Sequence, residues 1–276
     1  MPDDLEPAVQ PPPPNTPERA RLEQEKFASL STMARGMAHD FNNFLMVILG
    51  QAELGLLTAP ADSPARAHFN QILTASERAA ELCRQLMACA GQVRLSLETI
   101  DLAALLSNLA AEFQPALSPS CLLRCQWADP LPPIAADKSQ LHRVLRDVIL
   151  NACEALPPEG GVVTLRAGAI LVDRTYLEKI WPATQAQPGP YVLVEVVDNG
   201  CGMNEETLAR IFDPFFSTKK ARAGMGLSSL LGIVRSHRGA VHVETAVGQG
   251  TTVCILLPAS SDSPELAARL REFLVD

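Results

Sequence analysis

His39 carries an imidazole placed to accept a group delivered from elsewhere. It lies in the run Gly36-Met37-Ala38-His39-Asp40-Phe41-Asn42-Asn43. Around it, Leu30, Ala34, Met37, Phe41, Phe44, Ile48 and Ala52 recur in steps of three and four, which marks one stripe of a helix. At about 100° per residue, His39 projects to the opposite side of that helix, with Asn43 one turn further on and on the same face. A neutral imidazole is available near its ordinary pKa of about 6.5 and can act as a nucleophile.

A second set of chemically able residues runs from Asn151 to Gly250. Asn151, in Asp147-Val148-Ile149-Leu150-Asn151-Ala152-Cys153-Glu154-Ala155, offers an amide oxygen suited to a hard cation such as Mg2+. Asp198 ends an apolar run and begins Asp198-Asn199-Gly200-Cys201-Gly202; a buried carboxylate there can read an exocyclic amine, and the glycines let backbone approach a flat ring. Asp-Asn-Gly is also a hairpin-turn signal. Against that, the residues after Gly202 read as a helix capped by Asn204, with Glu205 and Glu206 in its first turn. Phe212-Asp213-Pro214-Phe215-Phe216-Ser217-Thr218-Lys219 follows, and then Gly224-Met225-Gly226-Leu227-Ser228, where glycines and amides open a helix in a manner suited to phosphate. Lys219, Lys220 and Arg222 add positive charge beside it. Gly248-Gln249-Gly250-Thr251-Thr252 joins two strands.

The elements that must position these residues follow from pattern. Residues 1–17, with Pro2, Pro7, Pro11 to Pro14 and Pro17, predict a disordered or polyproline-like arm. Glu18 to Leu57 predicts a long amphipathic helix, broken by Pro60 and Pro64. Ala65 to Gly91 predicts a second helix, with Phe69, Ile72, Leu73, Ala79, Leu82, Leu86, Met87 and Ala90 on one side. Together, residues 18–93 predict an antiparallel helical hairpin. One hairpin cannot cover both apolar stripes, whereas two copies paired as a four-helix bundle can, so a homodimer is expected. Packing of the hairpin onto its own C-terminal domain is the alternative. Residues 94–260 interleave helices (102–113, 139–156, 205–212, 226–236) with strands (122–127, 162–172, 191–197, 240–247, 251–257), which predicts an α/β sandwich; Asp173 to Gly189 reads as a long loop. The fold class expected is thus α+β. Residues 261–276 carry Leu266, Leu270 and Leu274 at helical spacing, a short tail helix.

Composition narrows the classes. The 276 residues are 47% hydrophobic with a net charge of −8, which favours two folded units and argues against wholesale disorder or a nucleic-acid surface. The apolar runs are too short to span a bilayer. The acidic, proline-rich N-terminus does not read as a secretory signal. The 7 cysteines form no CxxC pair. A cytoplasmic location with reduced thiols is expected.

Taken together and in this order, the motifs resemble the catalytic core of the two-component sensor histidine kinases. The resemblance covers residues 28–258: a phosphoacceptor box at His39, an N-box at Asn151, a G1 box at Asp198 to Gly202, an F-box at Phe212 to Lys219, a G2 box at Gly224 to Gly226 and a G3 box at Gly248 to Gly250. It implies a dimerisation and histidine-phosphotransfer bundle followed by a Bergerat-type ATP-binding domain. That nucleotide fold is shared with gyrase B, Hsp90 and MutL, which lack the phosphoacceptor helix. It further implies ATP bound through Asn151, Asp198, Gly200, Gly202, Lys219, Gly224, Gly226, Gly248, Gly250 and Thr251, with Mg2+ on Asn151.

By the same resemblance the γ-phosphoryl passes to His39, Asp40 is the candidate base with Glu154 ranked after it, and Asn43 positions water for dephosphorylating a partner. The downstream acceptor is expected to be a receiver domain on a separate response regulator, and the input a separate sensor protein. Two positions depart from the family pattern. Asp147 stands where Asn is usual, and it either adds a metal ligand or repels phosphate. Arg222 and Ala223 precede Gly224, which bears on the stiffness of the lid. Two other readings remain open: an ATP-binding regulatory protein acting mainly as a response-regulator phosphatase or partner-binding dimer, and a gyrase-like or Hsp90-like ATPase.

Overall fold

The computed structural model describes residues 41, 43–89, 95–117, 121–128, 130–180, 186–213, 215–219 and 226–260. His39, Asp40, Lys220, Arg222, Gly224, the proline-rich arm and the tail helix lie outside these residues.

Residues 43–58 form a helix, α1, and Ala65–Cys89 form α2. The turn between them is pinned by Arg66, whose Nη1 donates to the carbonyls of Leu56 (2.6 Å) and Ala59 (3.1 Å). The helices touch where Gly55 faces the ring of Phe69; a Cβ at Gly55 would stand 2.5 Å from that ring. Within the single chain only part of the expected α1 stripe is covered. Leu45 and Ala52 are buried, while Phe41, Phe44 and Ile48 are exposed at 48%, 65% and 43%. The reason is that α1 is apolar on almost every side, so a single neighbour can cover only one arc of it.

Glu98–Ile100 (β1) and Ile134–Ala136 (β3) pair as a small antiparallel ribbon that the sequence pattern did not reveal. The main sheet has five strands: Leu122–Trp127 (β2), Val162–Val172 (β4), Gly189–Asp198 (β5), Ala240–Ala246 (β6) and Gly250–Pro258 (β7). Their order is β2-β4-β5-β7-β6, parallel between β2 and β4 and antiparallel elsewhere. Leu102–Phe113 (α3), Lys138–Ala155 (α4) and Gly226–Ser236 (α7) supply the helical side of the core. Leu106, Leu145, Ile149, Leu230 and Ile233 are fully enclosed with Val163, Leu165, Val194 and Ile255 of the sheet. The architecture is therefore α+β, with a mixed sheet. The stretch after Asp173 is not wholly loop: Arg174–Lys179 form a short helix, α5, whose N-cap Asp173 accepts from the Tyr176 N–H at 2.6 Å. Glu205–Leu208 form α6. Helix α2 lies along α7.

Candidate active site

A cavity of about 590 Å³ opens between α4, α7 and the ends of β5, β6 and β7, lined among others by Asn151, Asp198, Gly202, Lys219, Gly226 and Thr251. These are residues that the sequence singled out over a span of a hundred positions, and the fold gathers them at one mouth.

Asp198 ends β5 and is 7% exposed. Its Oδ1 accepts the Gly200 N–H at 2.8 Å. Burial pushes the carboxyl above its ordinary pKa, against the pull of donors from Gly200 and Thr251 and the charge of Lys219. Asp198-Asn199-Gly200 is not a hairpin turn. Strand β5 pairs with β4 and β7 and leads into α6, while Asn199 bridges sideways: its Oδ1 accepts the Val162 N–H (2.7 Å) and its Nδ2 donates to the Gly160 carbonyl (3.0 Å). Two glycines are required by geometry. Gly202 (φ +61°) and Gly250 (φ +86°) both adopt left-handed backbone, and a Cβ on them would strike the carbonyls of Ala246 and Asp198 respectively. Thr251 sits in register with Asp198, its hydroxyl 3.1 Å from that of Thr245. Thr245 in turn accepts the Met203 N–H at 2.9 Å and donates to the Gly250 carbonyl at 3.0 Å.

Asn151 and Asp147 lie one turn apart on α4 and both line the cavity. They converge on Gly226, the first residue of α7. A Cβ there would lie 3.8 Å from Asn151 Nδ2 and 3.9 Å from Asp147 Oδ2. These oxygen-bearing groups fit a hard divalent cation. Lys219 Nζ donates to Glu154 Oε2 at 2.7 Å on the rim. Gly200, Gly248 and Gly250 support the site from behind rather than lining it; the Gly248 N–H donates to the Cys201 carbonyl at 2.8 Å in the β6–β7 turn. Asn43 is exposed on α1 and is not among the cavity residues.

Sequence reasoning missed the apolar lining and the clamp behind it. Val196, Val243 and Val253 stand two residues from Asp198, Thr245 and Thr251 on the same faces of their strands, and that period of two was the available signal. The clamp joins Asp137 and His237. Asp137 caps α4 through Gln140 N–H (3.1 Å), and it also takes Ser139 Oγ–H (2.7 Å) and the Ser96 N–H (3.0 Å) from the segment leaving α2. Burial alone would raise its pKa, but these donors outweigh burial and hold the carboxyl below its ordinary range. The Asp137 N–H donates to His237 Nε2 at 2.9 Å, and His237 Nδ1 meets the Ile233 carbonyl at 2.8 Å, so the ring locks the end of α7 to the start of α4.

Residues 136–261 match the family model for the histidine kinase-, DNA gyrase B- and HSP90-like ATPases. The chain is 33% identical over 244 residues to Sensor kinase CckA of Brucella abortus (strain 2308), covering 87% of this chain and 25% of that protein. It is 30% identical over 238 residues to Sensor histidine kinase ZraS of Escherichia coli (strain K12), covering 86% and 47% respectively. Among solved structures, full-length ShkA in complex with AMPPNP superposes with a TM-score of 0.57 at 25% identity, over 84% of this chain and 47% of that one. The chain thus spans a quarter to about half the length of these relatives. The fold and the cavity define a member of the GHKL ATPase class. More narrowly, the chain belongs to the sensor histidine kinases and carries their catalytic core.

Proposed function

We propose that this chain is an ATP-dependent protein-histidine kinase that phosphorylates its own His39 and passes the phosphoryl group to an aspartate of a separate response regulator. The observation that carries the reading is the convergence of Asn151, Asp198, Gly226, Lys219 and Thr251 on one cavity. Adenine lies against Asp198, whose buried carboxylate accepts from the exocyclic amine. The triphosphate runs toward the start of α7, since a helix start favours an anion. Asn151 would hold Mg2+, which would supply neutralisation of phosphate charge. A ring nitrogen of His39 attacks the γ-phosphorus as the bond to the bridging oxygen breaks, and ADP leaves; Asp40 takes the imidazole proton. The protein's task is in-line placement and charge matching rather than covalent help.

Two copies of the hairpin pair as a four-helix bundle. This is supported by Phe44, Val47, Leu54 and Leu57 of α1, exposed at 65%, 64%, 54% and 81%. The described residues contain no helix long and apolar enough to cross a membrane. The exposure of Asn43 favours a second output, hydrolysis of the phosphorylated regulator, with Asn43 orienting the water.

Incubation with γ-labelled ATP and Mg2+ tests the reading. An acid-labile, base-stable adduct on the protein is expected. His39→Gln removes it while nucleotide still binds, and Asp198→Asn weakens nucleotide binding by about a hundredfold, the worth of a charge-assisted hydrogen bond. Steady hydrolysis with no adduct would point instead to a gyrase-like ATPase.

A further inference from the structure

We propose that Arg210 is a positioning residue for the nucleotide: stacked on Phe216, it holds that ring, against a strained turn, as one wall of the cavity. This rests on the nucleotide reading of the cavity and deepens it.

Three observations carry the inference. First, Phe216 lines the cavity together with Thr207 and Ile211, whereas Arg210 is not among the lining residues and its side chain is 55% exposed. The Arg210 guanidinium carbon lies 4.4 Å from the centre of the Phe216 ring. One ring therefore meets the cation and also faces the ligand space. A guanidinium at that distance is attracted by the ring quadrupole, and its flat shape suits stacking. Arg210 acts on the cavity only through Phe216.

Second, the backbone delivers this contact in steps of three. The Arg210 N–H donates to the Thr207 carbonyl (2.9 Å), the Asp213 N–H to the Arg210 carbonyl (2.8 Å) and the Phe216 N–H to the Asp213 carbonyl (3.2 Å). Arg210 Nε also stands 3.8 Å from Asp213 Oδ2, but these side chains are 55% and 35% exposed, so water screens the pair. The stack is the stronger tie. Third, the last of these turns is strained. Phe215 takes φ +66°, a backbone that suits glycine and costs a bulky residue, and its ring is 66% exposed, so little packing offsets the cost. Relaxation of Phe215 would carry its neighbour Phe216 off the wall. The stack on Phe216 is what opposes it.

The full chain is titrated with a fluorescent ATP analogue in Mg2+, and release is followed by stopped flow. Arg210→Ala is expected to weaken binding about fivefold, the worth of one half-exposed cation–π contact, and to do so through faster release. Phe216→Leu weakens it by a similar factor, and the double variant binds no worse than Phe216→Leu alone. Arg210→Lys keeps most of the affinity, because an ammonium still sits over a ring, and Arg210→Gln does not. In a Phe215→Gly background, where the turn is no longer strained, Arg210→Ala costs less than about twofold. Thermal melting shows that each variant is folded. Losses that multiply in the double variant would mean that Arg210 acts without the ring. A loss seen as slower capture, and abolished by salt, would make it a distant attractor of phosphate. Unchanged binding would make it a solvated surface residue, and an undiminished loss in the Phe215→Gly background would remove the strain that the stack opposes. Each of these overturns the proposal and leaves the nucleotide cavity standing. Absence of binding by the unmodified protein would sink the nucleotide reading and this inference with it.

Discussion

The sheet domain and the helical hairpin solve the same problem in opposite ways. The domain closes its own core: Leu145, Ile149, Val163, Leu165, Val194, Leu230, Ile233 and Ile255 are essentially inaccessible to water. Helix α1 hides Leu45 and Ala52 but leaves Phe44, Met46, Val47, Leu54 and Leu57 in solvent. An apolar side chain gains only when something covers it. One region is therefore closed by its own residues, and the other leaves apolar surface uncovered. The cavity belongs to the first; the proposed phosphoacceptor, His39, belongs to the second in sequence.

Core truncation should separate the two most strongly. Ile233→Ala is expected to destabilise the domain by about 3 kcal/mol, transfer plus cavity, seen as a lower melting transition and a loss of nucleotide protection. Phe44→Ser or Leu57→Ser should leave that transition in place and weaken self-association by at least about tenfold, since each removes roughly 1.5–3 kcal/mol of apolar burial per copy. Sedimentation reads the second effect. A melting temperature that falls with Phe44→Ser at concentrations where the chain is monomeric would mean the hairpin is completed from within one chain.

Asp137 is a joint within the sheet domain, because it holds Ser96 as well as α4 and, through its N–H, His237 of α7. Its pKa is lowered in the folded state, so its contribution is complete above the unfolded value of 3.8 and disappears as pH falls through the lower folded value. Asp137→Ala should cost about 2 kcal/mol near neutrality, a lost helix cap plus buried donors left unmet. The difference from the unmodified protein should narrow in acid melts below pH 3.8 and vanish under the folded pKa. A difference that stays constant with pH would assign the loss to packing.

Much of this arrangement was legible in the residues, for identifiable reasons. Strand β5 and helices α4 and α7 announce themselves because period and capping agree, and Asp198 and Gly226 follow from their places at element ends, while Asn151 stands out as an amide inside α4. Asp137 and His237 were not legible: they are a hundred residues apart, and a lone acid before a helix reads only as a cap. The ribbon of Glu98–Ile100 with Ile134–Ala136 is too short to show alternation. Which arc of α1 its own chain covers was not legible because Leu45, Phe44 and Ile48 are equally apolar, and only the position of the neighbouring helix decides among them. Glu154 was legible as an acid near the site but not as the partner of Lys219, since that contact spans sixty-five positions and depends on how α4 meets the segment before α7.

That pair gives the smallest expected effect and the finest test. Glu154 and Lys219 are 31% and 40% exposed, so water screens their attraction, and the ion pair is worth at most about 1 kcal/mol to folding. Glu154→Gln should therefore leave the melting temperature within about two degrees of the unmodified protein, given how little such a loss moves a domain of this size. Its effect belongs to the ligand instead. While Glu154 holds the ammonium, a phosphate must compete for it; without that carboxylate, Lys219 is released toward the cavity it already lines. Nucleotide affinity should rise a few-fold, and adding Lys219→Ala should cancel the gain. An affinity that falls with Glu154→Gln would mean that the carboxylate aims the ammonium at the phosphates instead of withholding it, and the rim would then be a preset clamp, ordered before the ligand arrives in the same way as the core beneath it.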